Sequence, residues 1–183
     1  AAGIPGSVGG AVAMNAGAFD GEIRDVIRSG RILFPGEGIL ELSKEELDLS
    51  YRHSILKEKR GILLDALFDL HFWEKEAILD RMKSIQDARK EKQPLEYPSA
   101  GSTFKRPEGY YAGKLISDAG CKGLREGAAC VSEKHAGFIV NLGGASASEI
   151  YRLMRKVQER VLQHSGVMLE PEVILLGEFD ENA

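Results

Sequence analysis

The 183-residue sequence has only two cysteines, Cys121 and Cys130, nine apart, with no C-x-x-C pair and no histidine at zinc-finger spacing beside them. That spacing indicates neither a disulfide framework nor a metal finger, and it suits two small thiols in a reducing cytoplasm. Positive charge is not in excess either. Twenty-four Lys and Arg against 28 Asp and Glu leave a net charge of −4, so there is no global basic footprint for nucleic acid or an anionic membrane. No apolar run approaches the roughly eighteen residues that a membrane-spanning helix needs. The opening stretch lacks a basic flank, is broken by Gly and Pro, and does not read as a signal peptide. What is present is 43% hydrophobic and 28% charged residues, a composition that buries a core, at a length that allows one ordinary domain or two small ones. The first residue is Ala1 rather than Met, already beside a glycine-rich run, which reads as a portion of a longer chain.

Residues 1–21 hold six of the 21 glycines, a density that lets backbone approach something closely. Apolar stretches around Pro35-Gly36-Glu37-Gly38, from Val26 to Phe34 and from Ile39 to Leu42, predict a hairpin. Residues 62–73 alternate, with Leu64, Ala66, Phe68, Leu70 and Phe72 on one face, and predict a strand with that face buried. After Trp73 the period becomes helical, with a stripe of Ile78, Met82, Ile85 and Ala88 and a stop at Pro94. A domain boundary is expected near residue 75, dividing 1–75 from 76–183. Ser146-Ala147-Ser148-Glu149 is a capping box ahead of a stripe of Ile150, Leu153, Val157 and Val161, closed by Gly166. Residues 131–141 and 168–177 read as strands, the latter carrying Glu172. Strands and helices without regular βαβ alternation give an α+β fold class.

Four segments could carry chemistry. The first is Gly3-Ile4-Pro5-Gly6-Ser7-Val8-Gly9-Gly10-Ala11 with Met14-Asn15-Ala16-Gly17-Ala18, which is neither a Walker loop nor a G-x-G-x-x-G fingerprint. Its glycines can free N–H groups toward phosphate oxygens or let the chain lie on a flat cofactor, although on spacing alone a tight bend with small-residue packing is the better account. Tyr51-Arg52-His53-Ser54 offers a guanidinium fork suited to a carboxylate, or an exposed loop cation. Residues 98–107 set a Ser-Ala-Gly-Ser turn before Lys105 and Arg106. Over residues 105–125, Lys105, Arg106, Lys114, Lys122 and Arg125 outnumber Glu108 and Asp118, a local positive patch of a size to attract a diphosphate. Last, Glu170 and Glu172 flank Pro171, where two acids two apart share a strand face.

Taken together, in order along the chain, these motifs resemble UDP-N-acetylenolpyruvoylglucosamine reductase, the flavoenzyme family of early peptidoglycan synthesis. Ala112-Gly113-Lys114-Leu115-Ile116, Lys134-His135-Ala136 and Leu169-Glu170-Pro171-Glu172-Val173 add to the match. The resemblance implies the C-terminal part of an FAD-binding domain of the p-cresol methylhydroxylase type over 1–75 and a smaller α+β substrate-binding domain over 76–183. It also implies FAD and NADPH as cofactors, UDP-N-acetylglucosamine enolpyruvate as substrate, and a cytoplasmic enzyme. On this resemblance Arg52, Ser102 and Glu172 are the catalytic set. Gly3, Ile4, Pro5, Gly6, Ser7, Gly9, Gly10, Ala11, Asn15, Gly17 and Ala18 contact the flavin, and Tyr51, Lys105, Arg106 and Lys114 the substrate. The chain departs from the family at Arg106, where Asn is common. Arg52 and Ser102 are fifty residues apart, which resembles the class without the extra tyrosine-bearing loop. The family's N-terminal part has no counterpart in these 183 residues, so the rival expectation is a flavin-free module that binds a nucleotide sugar.

Overall fold

A computed structural model describes residues 2–19, 21–177 and 179. The chain divides into two compact units, residues 1–88 and 89–183. The boundary falls inside a helix that begins at Lys75, whereas the change of periodicity places it at that helix's start. A change of period marks where one element gives way to the next, not where one core ends.

In the first unit, α1 (Val8–Ala13) is capped by Ser7, whose hydroxyl accepts from Gly10 N at 3.1 Å. Two short antiparallel strands follow, β1 (Gly17–Ala18) and β2 (Gly21–Glu22), and then one turn of 3₁₀ helix at Ile23–Asp25. The expected hairpin is formed by β3 (Ile27–Phe34) and β4 (Gly38–Ser43), paired antiparallel from Ser29–Ser43 to Phe34–Gly38. After α2 (Ile55–Glu58), β5 (Ile62–Phe68) returns to the far side of β3, giving the order β4-β3-β5. Ile32 and Phe34 point inward on alternate positions, Ile27 joins them across a register shift between Ile27 and Ser29, and the three bury against Val12, Leu47 and Leu56.

The strand at 62–73 differs from its pattern. It stops at Phe68, and its inward residues are Leu63, Ala66 and Phe68, while Leu64 is exposed. Pairing passes from Arg31–Asp65 to Ile32–Leu63, so Leu64 is an extra residue that reverses the facing of the strand there. The Arg31 guanidinium holds Asp65 across this step at 2.8 Å. The helix α3 (Lys75–Lys92) forms as expected, yet Ile78 and Met82 of its stripe are exposed and its one buried residue is Arg89.

The second unit has an antiparallel sheet, order β6-β9-β8-β7, and two helices. Its elements are β6 (Ser99–Ser102), α4 (Ala112–Asp118), β7 (Arg125–Glu126), β8 (Ala129–Val131), β9 (Phe138–Asn141) and α5 (Ala147–Ser165). The single strand expected over 131–141 is thus two pieces of a hairpin, β8 and β9, joined through a turn at 132–137. Ala129, Val131 and Ile139 pack toward the helices, and Cys130, Phe138 and Val140 form a smaller cluster of their own. Both cysteines are buried and unbridged. The capping box and stripe of α5 are realised: Ser146 and Glu149 exchange hydrogen bonds, Leu153, Val157 and Val161 are fully buried, and Gly166 closes the helix at φ +72°.

No strand forms over 168–177. The segment meets Phe104 through one bridge at Pro171, flanked by Lys105 N to Glu170 O at 2.8 Å and Glu172 N to Thr103 O at 2.9 Å. Pro171 sits where its missing N–H faces away from Phe104, and the ladder goes no further because Thr103 N, the next donor, is given to Gly137 O at 2.8 Å. No helix among the described residues is long and apolar enough to cross a membrane.

Candidate active site

In the first unit the glycine-rich segment bends through Gly3 and Gly6, at φ +78° and +143°, and enters α1. Gly9 and Gly10 differ from these two because their backbone is helical. A Cβ on Gly9 would meet Ser7 Oγ at 3.8 Å and Leu63 Cβ at 3.9 Å, and one on Gly10 only Ser7 Oγ at 3.5 Å, all ordinary contacts. Among the described residues, nothing inside the unit requires glycine at either place.

Asn15, just beyond α1, is fully buried at φ +42°. Its amide donates to Glu22 Oε2 at 3.0 Å and to Ser50 O at 3.2 Å, and its carbonyl accepts from Arg24 N at 2.9 Å. The side chain expected at a flavin is therefore engaged within the fold. Ser50 and His53 exchange backbone hydrogen bonds, His53 N to Ser50 O at 3.1 Å and the reverse at 3.3 Å, which puts Tyr51 and Arg52 at the tip of a tight turn. Arg52 adopts φ +57° and its guanidinium stacks 4.9 Å from the centre of the Tyr51 ring. Ser54, fully buried, donates to Ala13 O at 2.7 Å. Behind the turn, Asp48, His53 and Glu58 bring one potential ligand atom each within 4.8 Å of one another. His53 Nε2 lies 3.1 Å from Asp48 Oδ2 and 3.6 Å from Glu58 Oε1, so contacts among the three side chains account for the group.

In the second unit, Ser102 ends β6 on the exposed side, and its hydroxyl has no hydrogen-bond partner among the described residues. Its neighbour Thr103 is buried and holds three segments together. Thr103 N donates to Gly137 O at 2.8 Å, Thr103 O accepts from Glu172 N at 2.9 Å, and Thr103 Oγ1 accepts from Ile139 N at 3.2 Å. Glu172 is thereby fixed, half-buried, beside the Ser102 strand end. Lys105 is ion-paired with Glu170. Arg106 folds back on the next turn, donating to Tyr110 O at 3.3 Å and lying 4.0 Å above the Tyr111 ring. Lys114 pairs with Asp118 at 2.7 Å on the exposed face of α4. His135 takes a hydrogen bond on Nδ1 from Gly137 N at 3.1 Å and meets the Phe138 ring edge to face, and burial holds its imidazole below the usual histidine range.

Residues 93–176 match the family model described as UDP-N-acetylenolpyruvoylglucosamine reductase, C-terminal domain. Proteins of that name from Lachnoclostridium phytofermentans and Clostridium novyi are 57% and 54% identical over 97% and 98% of this chain. The chain belongs to the UDP-N-acetylenolpyruvoylglucosamine reductase family. The crystal structure of the reductase from Thermus caldophilus superposes with a TM-score of 0.81 at 43% identity, covering 93% of this chain and 60% of that one. The chain spans 57% and 59% of the length of those two curated relatives.

Within the reductase family's expected site, the structure thus groups the residues in two sets, one in each unit. The glycine segment, Tyr51 and Arg52 are knit together in the first unit, and Ser102, Lys105 and Glu172 in the second. Lys114 lies apart on α4, and Arg106 is turned onto Tyr111. Three supporting residues had no role assigned from the sequence: Ser54 and Thr103, which lie inside the motifs, and Gln158. Gln158 is buried on α5 and donates to Leu169 O at 2.7 Å, which anchors the approach to Glu170-Pro171-Glu172. A polar residue beside the apolar stripe of α5 was its only signal.

Proposed function

We propose that this chain is the C-terminal part of a reductase that converts the enolpyruvyl ether of UDP-N-acetylglucosamine to UDP-N-acetylmuramate, with FAD and NADPH as cofactors. The observation that carries the reading is Ser102: an exposed hydroxyl with no described partner, at a strand end braced through Thr103, with Glu172 fixed beside it. Flavin, when bound, would supply hydride equivalents drawn from NADPH for reduction of the vinyl ether at its β-carbon. The glycine segment suits a flat cofactor because helical Gly9 and Gly10 each cost the fold about 1 kcal/mol relative to Ala with no internal steric reason for them. Bare backbone there leaves room for an external body to lie close.

Negative charge then builds on the α-carbon and the adjoining carboxylate. Arg52 stabilises that carboxylate from a backbone-locked turn, the kind of preorganised charge that costs no rearrangement during reaction. Ser102 donates the proton to the α-carbon. A hydroxyl is a weak acid, but the acceptor is a strongly basic carbon and the donor is held in place. Glu172 shares in stabilising the enolate. Lys105, Arg106 and Lys114 supply positive charge for the diphosphate, and Tyr51 borders the substrate beside Arg52.

Ser102→Ala, in a chain of the relatives' full length, tests the assignment. Flavin reduction by NADPH should persist, while turnover of the enolpyruvyl substrate should fall by roughly 10²–10⁴, the usual worth of a positioned proton donor. Normal turnover in that variant would remove Ser102 from the role.

A further inference from the structure

We propose that Asn15 is a positioning residue for Arg52, holding the arginine-bearing turn through its side chain rather than contacting the cofactor. The inference rests on the role of Arg52 proposed above. A non-glycine residue at φ +57°, as Arg52 is, persists only where its surroundings over-determine it. Two part-buried hydrogen bonds from the buried side chains of Asn15 and Ser54 do so, one on each side of Arg52. On the N-terminal side the Asn15 amide donates to Ser50 O at 3.2 Å, the same carbonyl that closes the turn by accepting from His53 N. On the C-terminal side Ser54 Oγ donates to Ala13 O at 2.7 Å. Both clamps run to the two residues that frame Met14, at the end of α1, so the exit of the glycine segment and the arginine turn form one braced piece.

The chemistry of position 15 selects asparagine. The site needs two donors, toward Ser50 O and Glu22 Oε2, and one acceptor, toward Arg24 N, within one short side chain. It also needs a residue that tolerates φ +42°, which Asn does better than most. Aspartate has the shape and the acceptor but not the donors, and it would set a second carboxylate against Glu22. Because both polar atoms of the Asn15 side chain are used inside the unit, its influence on the reaction runs through the turn.

The experiment is a double-mutant cycle in a chain of the relatives' full length, with Asn15→Asp, Arg52→Ala and the pair. Flavin content and flavin reduction by NADPH should stay within about twofold of the parent in Asn15→Asp, while reoxidation of reduced flavin by the enolpyruvyl substrate slows roughly ten-fold. In the pair, the rate should equal that of Arg52→Ala alone, because a positioning residue has nothing left to position. Independent, multiplying effects would overturn the proposal, as would loss of flavin from Asn15→Asp, which would make Asn15 a cofactor contact. If Arg52→Ala alone left the substrate step untouched, the role of Arg52 itself would fall, and the positioning role with it. Ser54→Ala removes the second clamp by deleting one oxygen. It should show the same selective slowing and the same lack of additivity with Arg52→Ala, which keeps the test decisive if Asn15→Asp folds poorly.

Discussion

His135 sits in the turn between β8 and β9 with Nδ1 accepting from Gly137 N, so the neutral ring carries its proton on Nε2. Burial is the largest cause that lowers its pKa, its own backbone hydrogen bond acts the other way, and nearby Lys122 adds a smaller lowering. The folded unit therefore prefers the neutral ring. An unfolded chain takes up the proton near a pH of about 6.5, so as pH falls through that value the unfolded state binds more protons and stability declines. Denaturation midpoints at pH 7.5 and 5.5 should fall further for the parent than for His135→Gln. Equal falls would show that the ring is as easily protonated folded as unfolded. The same residue-scale logic separates Ser102 from Thr103. Adjacent hydroxyls look alike in sequence, but that of Thr103 is taken by Ile139 N and that of Ser102 has no partner among the described residues.

At the scale of elements, what could be read depended on how local the cause was. The β3–β4 hairpin and α5 were legible because turn residues and caps lie within a few positions of the pattern they end. The segments at 62–73, 131–141 and 168–177 were misread because their limits come from partners far along the chain. Leu64 is displaced by the register against β3, and residues 168–177 are held by Gln158 and one bridge at Phe104. Gly61 shows the same dependence. A Cβ there would lie 2.6 Å from Phe34 Cε1 and 2.7 Å from Ile32 Cγ2, both on buried side chains of β3. Gly61→Ala should therefore destabilise the first unit by about 1–3 kcal/mol, read as a lower denaturant midpoint. An unchanged midpoint would mean that the entry to β5 shifts without cost.

At the scale of the whole molecule, each unit has its own core. The first closes around Ile32, Phe34, Leu47 and Val12, and the second around Leu153, Val157, Val131 and Leu169. A polypeptide from Arg89 to Ala183 should accordingly fold without the first unit and unfold in one cooperative step with dispersed amide resonances. A broad, non-cooperative transition would show that its core needs the preceding residues. Ordered motifs in sequence determined the family, the α+β class and the identity of the candidate residues, because those depend on which side chains occur and in what order. Tertiary structure decided which of them are free to act. It sent the Asn15 amide into the arginine turn and left the Ser102 hydroxyl with no hydrogen-bond partner among the described residues. The physical reason is that hydrogen-bonding capacity is finite, and what a polar group gives to the fold it cannot give to a ligand.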